Sequence, residues 1–234
     1  MKQEIIRINL NGVNCYLVKT EESFVLIDTA GPITMDKGYN NRREELEKQL
    51  DKNGCIPGKL KAIVLTHGDV DHVANAAYLR DKYHTIIAMH KEDTDLVERL
   101  TLDKMMESFR YRSLILKVIF AVMNKTIRRI SAKTLANFEA FAPDLLLKED
   151  DSLSSYGIAA RIIHLPGHTA GSIAIMTEEG DLIAGDIVTN MKKPGPALNA
   201  SDFKQLFKSI SKLKSLNIKM IYPGHGEPFE ASHI

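Results

Sequence analysis

The apolar positions near the amino terminus alternate. Ile6, Ile8 and Leu10 precede the turn dipeptide Asn11-Gly12, and Val13, Cys15 and Leu17 follow it, which predicts a β-hairpin. FVLID at 24–28 predicts a third strand. The charged stretch 40–50, with Leu46 and Leu50 four apart, predicts a surface helix, and KAIVLT at 61–66 a short buried strand. Ala76, Leu79 and Tyr83 keep helical spacing, and TIIAM at 85–89 predicts another strand. Farther along, RIIHL, SIAIM and DLIAG read as short strands joined by glycine-rich turns. Phe203, Leu206, Phe207, Ile210 and Leu213 fall on one face of a helix capped by Ser201, and NIKMIY at 217–222 predicts the strand that closes the sheet. Strands with interleaved helices, in two halves that can face one another, predict mixed sheets with helices outside.

Between the halves the strand rhythm stops, and roughly 92–142 reads as helix throughout. Its middle, SLILKVIFAVM, is apolar nearly all round and too short to span a bilayer. From Ser108 to Lys133 there are seven Lys or Arg and no Asp or Glu. The first expectation is a helical insertion packed on the body with a solvated basic face. The second is a lid over a site for a substrate with an apolar and an anionic part, or a patch at 108–133 that touches membrane.

Bulk composition narrows the function classes. A chain of 234 residues with 44% apolar and 26% charged residues can bury a sizeable core. Its net charge of +1 points to no polyanionic partner, and no nucleic-acid partner is expected. Two cysteines, Cys15 and Cys55, are too few for a disulfide framework and lack the spacing of a thiolate metal site. The start, MKQEIIRINLNGVNCYLV, lacks the pattern of a secretory signal, so a cytoplasmic location is expected.

The chemistry gathers at THGDVDH, directly after a strand that must be buried. His67, Asp69 and Asp71 are spaced by two and point to one side of an extended loop, while His72 starts the next helix. Four potential ligands in six residues exceed what a core can hold unpaired, and a metal site resolves the conflict. The plainer alternative is a polar loop with Asp71 as a helix cap and solvated histidines. Three further stretches set a polar side chain beside glycine at a strand exit: LPGHTAGS with His168, IAGDIV with Asp186, and YPGHGEP with His225. Each is weak alone, but together they supply ligands from separate strand ends. Ordinary roles are expected elsewhere: His84 and His233 at the surface, His164 inside a strand, His90 structural, Asp28 a hydrogen-bond acceptor. Tyr222 and the loop 192–199 are placed beside the pocket.

This order of residues resembles the metallo-β-lactamase superfamily, including its hydroxyacylglutathione-hydrolase-like members, whose signature is H-x-H-x-D-H followed by a histidine, a bridging aspartate and a final histidine. Asp28 in LIDTAG matches the family's early aspartate, so the resemblance runs from there to His225. It implies an α/β chain folded as one four-layer αβ/βα sandwich over 1–234, with a helical insertion at about 92–142. It also implies that His67, Asp69, His168 and Asp186 hold one metal, and Asp71, His72, Asp186 and His225 the other. One position departs from the signature: Asp69 stands where the family has its second histidine. Two divalent ions bring four positive charges, and three aspartates leave one where the usual two would leave two. Bound water should then be less acidified, and manganese or iron become better competitors with zinc, the first expectation.

No Gly-x-Ser-x-Gly elbow and no credible cysteine nucleophile occurs. The expected activity is a metal-dependent hydrolase that uses metal-bound hydroxide on an ester, thioester, lactone or related small substrate, with Asp71 orienting the hydroxide and accepting its proton. A mononuclear-iron sulfur dioxygenase-like enzyme and a non-catalytic metal-binding sensor are the alternatives. β-Lactamase activity is not implied.

Overall fold

The computed structural model of the chain describes residues 3–33, 36, 39–107 and 110–234. Ser108, which opens the basic stretch, and Met1 and Lys2 of the amino-terminal segment lie outside the described residues. The first sheet carries six strands in chain order, β1 (Glu4–Leu10), β2 (Val13–Lys19), β3 (Phe24–Ile27), β4 (Leu60–Val64), β5 (Ile87–His90) and β6 (Leu145–Leu147). β1, β2 and β3 pair antiparallel, and β3 to β6 pair parallel. β7 (Ala160–His164), β8 (Ile173–Thr177) and β9 (Asp181–Gly185) belong to the second sheet, and β10 (Val188–Thr189) and β11 (Gly195–Pro196) form a small ribbon. β12 (Met220–Pro223) and β13 (Phe229–Glu230) complete the second sheet, in the order β13-β12-β9-β8-β7. The 217–222 segment therefore does not form the edge; β13 pairs outside it.

The helices are α1 (Arg43–Lys52), α2 (Val70–Val73), α3 (Ala76–Tyr83), α4 (Thr94–Glu98), α5 (Leu102–Glu107), α6 (Leu114–Ala136) and α7 (Phe203–Lys214). Side chains alternate across each pleated strand, so a strand buried on both sides feeds two cores. Val25 and Ile27 of β3 and Ala62 and Val64 of β4 meet Ile162, Ile173, Ile175 and Ile183 between the sheets. Leu26 and Ile63 turn the other way, onto Leu46 and Leu50 of α1 and Leu79 and Tyr83 of α3. On the far side Ile163, Ala174 and Leu182 pack against Leu206, Ile210 and Leu213 of α7. The result is the four-layer αβ/βα arrangement, with helices on both outer faces.

Three local features differ from the sequence reading. The cap of α7 is Asp202, whose side chain accepts from the backbone N–H groups of Lys204 and Gln205, while the Ser201 hydroxyl donates to the carbonyl of Gly167. Both residues are good caps, and the chain uses the one nearer the first turn. The stretch 92–142 is not continuous helix: Thr101 accepts from the N–H of Lys104 and restarts the chain as α5 after α4 ends at Arg99. Finally, the outward side of α6 is not uniformly basic. Leu114, Ile115, Val118 and Val122 stand exposed on it.

Candidate metal centre

The seven side chains singled out in the sequence meet at one end of the two sheets. β3 and β4 run parallel, as do β9 and β12, so their carboxyl ends project the same way. Asp28 follows β3; His67, Asp69, Asp71 and His72 follow β4; Asp186 follows β9; His225 follows β12; His168 sits in the connection from β7 to β8. Two glycines permit the close approach. At Gly185 φ is +53°, and a Cβ would stand 2.6 Å from the Thr66 hydroxyl; at Gly224 a Cβ would stand 2.1 Å from Oδ1 of Asp186.

Hydrogen bonds fix each imidazole. The Thr66 hydroxyl, which lies 2.9 Å from Nδ1 of His67, donates to Oδ2 of Asp28, so it accepts from that nitrogen. Nδ1 of His72 donates to the same Asp28 oxygen at 2.8 Å. Nδ1 of His168 donates to the carbonyl of Asn199 at 3.1 Å, and Nδ1 of His225 to the carbonyl of Gly12 at 2.7 Å. All four rings thus carry their neutral-state proton on Nδ1 and turn an Nε2 lone pair to the centre. Nε2 of His67, His72 and His168 and Oδ1 of Asp186 are buried and make no hydrogen bond among the described residues. Leaving four such atoms buried would cost several kcal/mol together.

The spacing suits a cation. Oδ2 of Asp69 lies 3.2 Å from Nε2 of His168 and 3.9 Å from Nε2 of His67. Oδ2 of Asp71 lies 3.4 Å from Nε2 of His225 and 3.9 Å from Nε2 of His72. Asp186 spans both groups, with Oδ1 3.5 Å from His72 and Oδ2 3.2 Å from His225 and 3.9 Å from His168. Ligand atoms about 2.0–2.1 Å from a tetrahedral ion stand about 3.3 Å apart, so the separations of 3.2–3.5 Å suit cation ligation, and those of 3.9 Å would close slightly around an ion. One ligand atom from each of His67, Asp69 and His168 lies within 4.8 Å of the others, and the same holds for Asp71, His72 and His225. Asp28, His67 and His72 also form such a group, but its contacts are the Nδ1 relay just described.

Charge balance points the same way. Burial works against protonation of His72 and His168, yet the carboxylates of Asp186, Asp71 and Asp28 raise His72 to about 9, and those of Asp69 and Asp186 raise His168 to about 9. For His225, burial is likewise outweighed by Asp186 and Asp71, and the ring is held well above its usual value. Burial, with His72 and His168 alongside, pushes His67 well below it. Against its own burial, Asp71 is held at about 2 by His72 and His225. Asp186 is likewise held well below the usual carboxylate range by His225 and His72. Three carboxylates drawing protons onto facing imidazoles form a nest that stabilises positive charge.

Asp93 was not legible in the sequence. It is buried at the turn before α4 and accepts from the N–H groups of Gly68 and Gly171 and from the Thr169 hydroxyl. It ties the loop of His67 and Asp69 to the loop of His168, and nothing in MHKED separates it from an ordinary capping acid. Asn14 has a matching role on the other side, donating to the carbonyls of Pro223 and Gly226 beside His225. His90 stacks on His164 at 4.0 Å, away from the centre, and Tyr222 packs edge-on against Tyr16 in the core. His84 and His233 are exposed. Burial pushes both thiols up, Cys55 to about 12, so neither is a nucleophile.

A cavity of about 570 Å³ opens over Asp69, Asp71, Asp186 and His225. Leu116, Ile119, Phe120, Met123, Ile127 and Ile130 of α6 wall it on one side. Lys104, on its border, is bound to the carboxylate of Asp95 at 2.7 Å.

Residues 8–225 match the model of the metallo-beta-lactamase superfamily. Hydroxyacylglutathione hydrolase GloC of Haemophilus influenzae is 28% identical over 97% of this chain and 91% of its own length. The probable metallo-hydrolase MJ0888 of Methanocaldococcus jannaschii is 30% identical over 94% of this chain and 92% of its own. The crystal structure of TTHA1623 in a di-iron-bound form superimposes with a TM-score of 0.65 at 26% identity, covering 97% of this chain and 94% of that one.

Proposed function

The chain belongs to the metallo-beta-lactamase superfamily, as a metal-dependent hydrolase, and on that premise we propose that it cleaves esters or thioesters with an apolar acyl part at a centre holding two divalent ions. The observation that carries this reading is the convergence of four Nε2 lone pairs and three carboxylates at the floor of an apolar cavity. His67, Asp69 and His168 would hold one ion, Asp71, His72 and His225 the other, and Asp186 both. Zinc suits this nitrogen and oxygen donor set, and iron is its strongest competitor, since the related TTHA1623 binds two irons. When bound, such ions lower the pKa of water and polarise a carbonyl oxygen.

The remaining roles belong to the protein. Asp71, ionised and facing the cavity, would take up the proton of the attacking water on the carboxylate oxygen that does not hold the ion and pass it to the leaving oxygen or sulfur. The α6 wall binds the acyl chain and keeps water from it. GloC acts, by its name, on hydroxyacylglutathione, a thioester, which supports the bond type. The α6 wall favours a greasier acyl group than that. Paired ligand groups also favour two ions over the single iron of an oxygen-dependent enzyme.

An acyl chain-length series tests the substrate assignment. With metal-loaded protein, kcat/KM should rise about threefold to fourfold per added methylene until the cavity is filled. Leu116→Asp should flatten the series while metal content stays constant. A flat series in the unaltered protein would sink the acyl-pocket reading.

A further inference from the structure

α6 is apolar on two sides over its first half. One side walls the cavity. The other carries Leu114, Ile115, Val118 and Val122, which are 76, 72, 56 and 80% exposed. The two sides are continuous, because Ile119 and Met123 both line the cavity and remain partly in water, at 47 and 40% exposure. Across the mouth Met191 and Leu198 line the cavity and are exposed as well. A contiguous apolar surface of this kind marks a contact rather than ordinary solvent exposure.

The charges around it identify the contact. Arg110 and Arg112 precede the apolar turns, Lys117 flanks them, and Lys125, Arg128 and Arg129 follow on the same helix. Arg110 pairs with Glu107 at 3.3 Å, Arg128 pairs with Asp103 at 3.2 Å, and Arg112 lies over the Phe207 ring at 5.0 Å. Lys117, Lys125 and Arg129 make no ion pair among the described residues. No acidic residue occurs from Arg110 to Lys133. A second copy meeting this face about a two-fold axis would set these cations against their own equivalents. An anionic lipid surface takes both parts at once, the apolar side chains entering between headgroups and the cations meeting phosphates. No helix among the described residues is long and apolar enough to cross a membrane, so α6 would lie along the surface.

We propose that the outward face of α6 docks this protein on bilayers containing anionic lipid, with the mouth of the cavity at the lipid boundary. This goes beyond the hydrolase reading and stands without it. Docking is measured by co-sedimentation of the full chain with phosphatidylcholine vesicles, with and without phosphatidylglycerol. Binding is expected only with phosphatidylglycerol, and it should be lost at about 1 M salt, where the Debye length is about 3 Å. Ile115→Asp and Val122→Asp, both outside the cavity wall, should each weaken it at least about tenfold. Lys125→Gln and Arg129→Gln should each weaken it about fivefold. Because these positions are exposed, circular dichroism should be unchanged, and the charge variants read the effect independently of the apolar ones. Absence of binding to the anionic vesicles, or equal binding to neutral ones, would overturn the proposal. So would a dimer in sedimentation velocity that Ile115→Asp converts to monomer, since the face would then belong to a second copy.

Discussion

Asp186→Ala should lower turnover on the order of a thousandfold, corresponding to about 4 kcal/mol of lost transition-state stabilisation, and it should do so together with metal content. The size follows from position. Oδ1 of Asp186 faces His72, and Oδ2 faces both His225 and His168, so a single deletion opens both ligand groups. It also removes the strongest attraction holding a proton on His225 and on His72, so the metal-free nest loses much of its affinity for any cation. Asp186→Asn separates charge from shape, since it keeps the volume and one oxygen. Its loss should fall between the native protein and the alanine variant. Turnover and bound metal are measured on the same preparations. An Asp186→Ala protein that retains both ions and full turnover would show that the carboxylate bridges nothing.

Asp28→Asn should weaken metal binding about 10-fold to 100-fold although Asp28 faces no ion. Its carboxylate accepts three hydrogen bonds, from the Thr66 N–H at Oδ1 and from the Thr66 hydroxyl and His72 Nδ1 at Oδ2. An asparagine offers oxygen on only one side, so its amide N–H groups must oppose a donor on the other. With its amide nitrogen at the Oδ2 position it opposes both His72 Nδ1 and the Thr66 hydroxyl that aims His67; turned the other way it opposes the Thr66 backbone N–H. One ligand of each group is thus loosened by one atom exchange. Competition against a chromophoric chelator measures the affinities, and near-native far-ultraviolet dichroism would show that the fold persists. Unchanged affinity for both ions would mean that the relay from Asp28 does not set ring orientation.

The parts of this molecule that are legible in its sequence are those written in local pattern. Strand alternation marks the hairpin, and the apolar runs at β4 and at β7 to β9 mark both sheets, because burial on two faces demands unbroken hydrophobic strands. The seven side chains of the centre stand at strand ends, most of them beside glycines, where the chain must bend. What escapes depends on partners far along the chain. Asp93 binds N–H groups at Gly68 and Gly171. His225 and His168 are aimed by carbonyls of Gly12 and Asn199, and a backbone carbonyl has no signature in sequence. The strand β6 is three residues long and pairs with β5 across the whole helical connection, a register no local spacing announces. The outward face of α6 escapes for a related reason: apolar residues on all sides of a helix predict burial on all sides, and here part of that surface is left in water.

Calorimetric titration of the metal-stripped chain with zinc decides whether these residues together bind two divalent ions. In the metal-free protein His72 and His168 are held at about 9, so both are protonated at pH 7 and must give up those protons for Nε2 to ligate. Titrations in buffers of different ionisation heat should therefore give two zinc ions per chain, with proton release at neutral pH. Apparent affinity should strengthen as pH rises toward about 9, because the competing proton is then lost. A chain that takes up no zinc, manganese or iron, or that takes up zinc with no release of protons, would show that these imidazoles and carboxylates are not metal ligands.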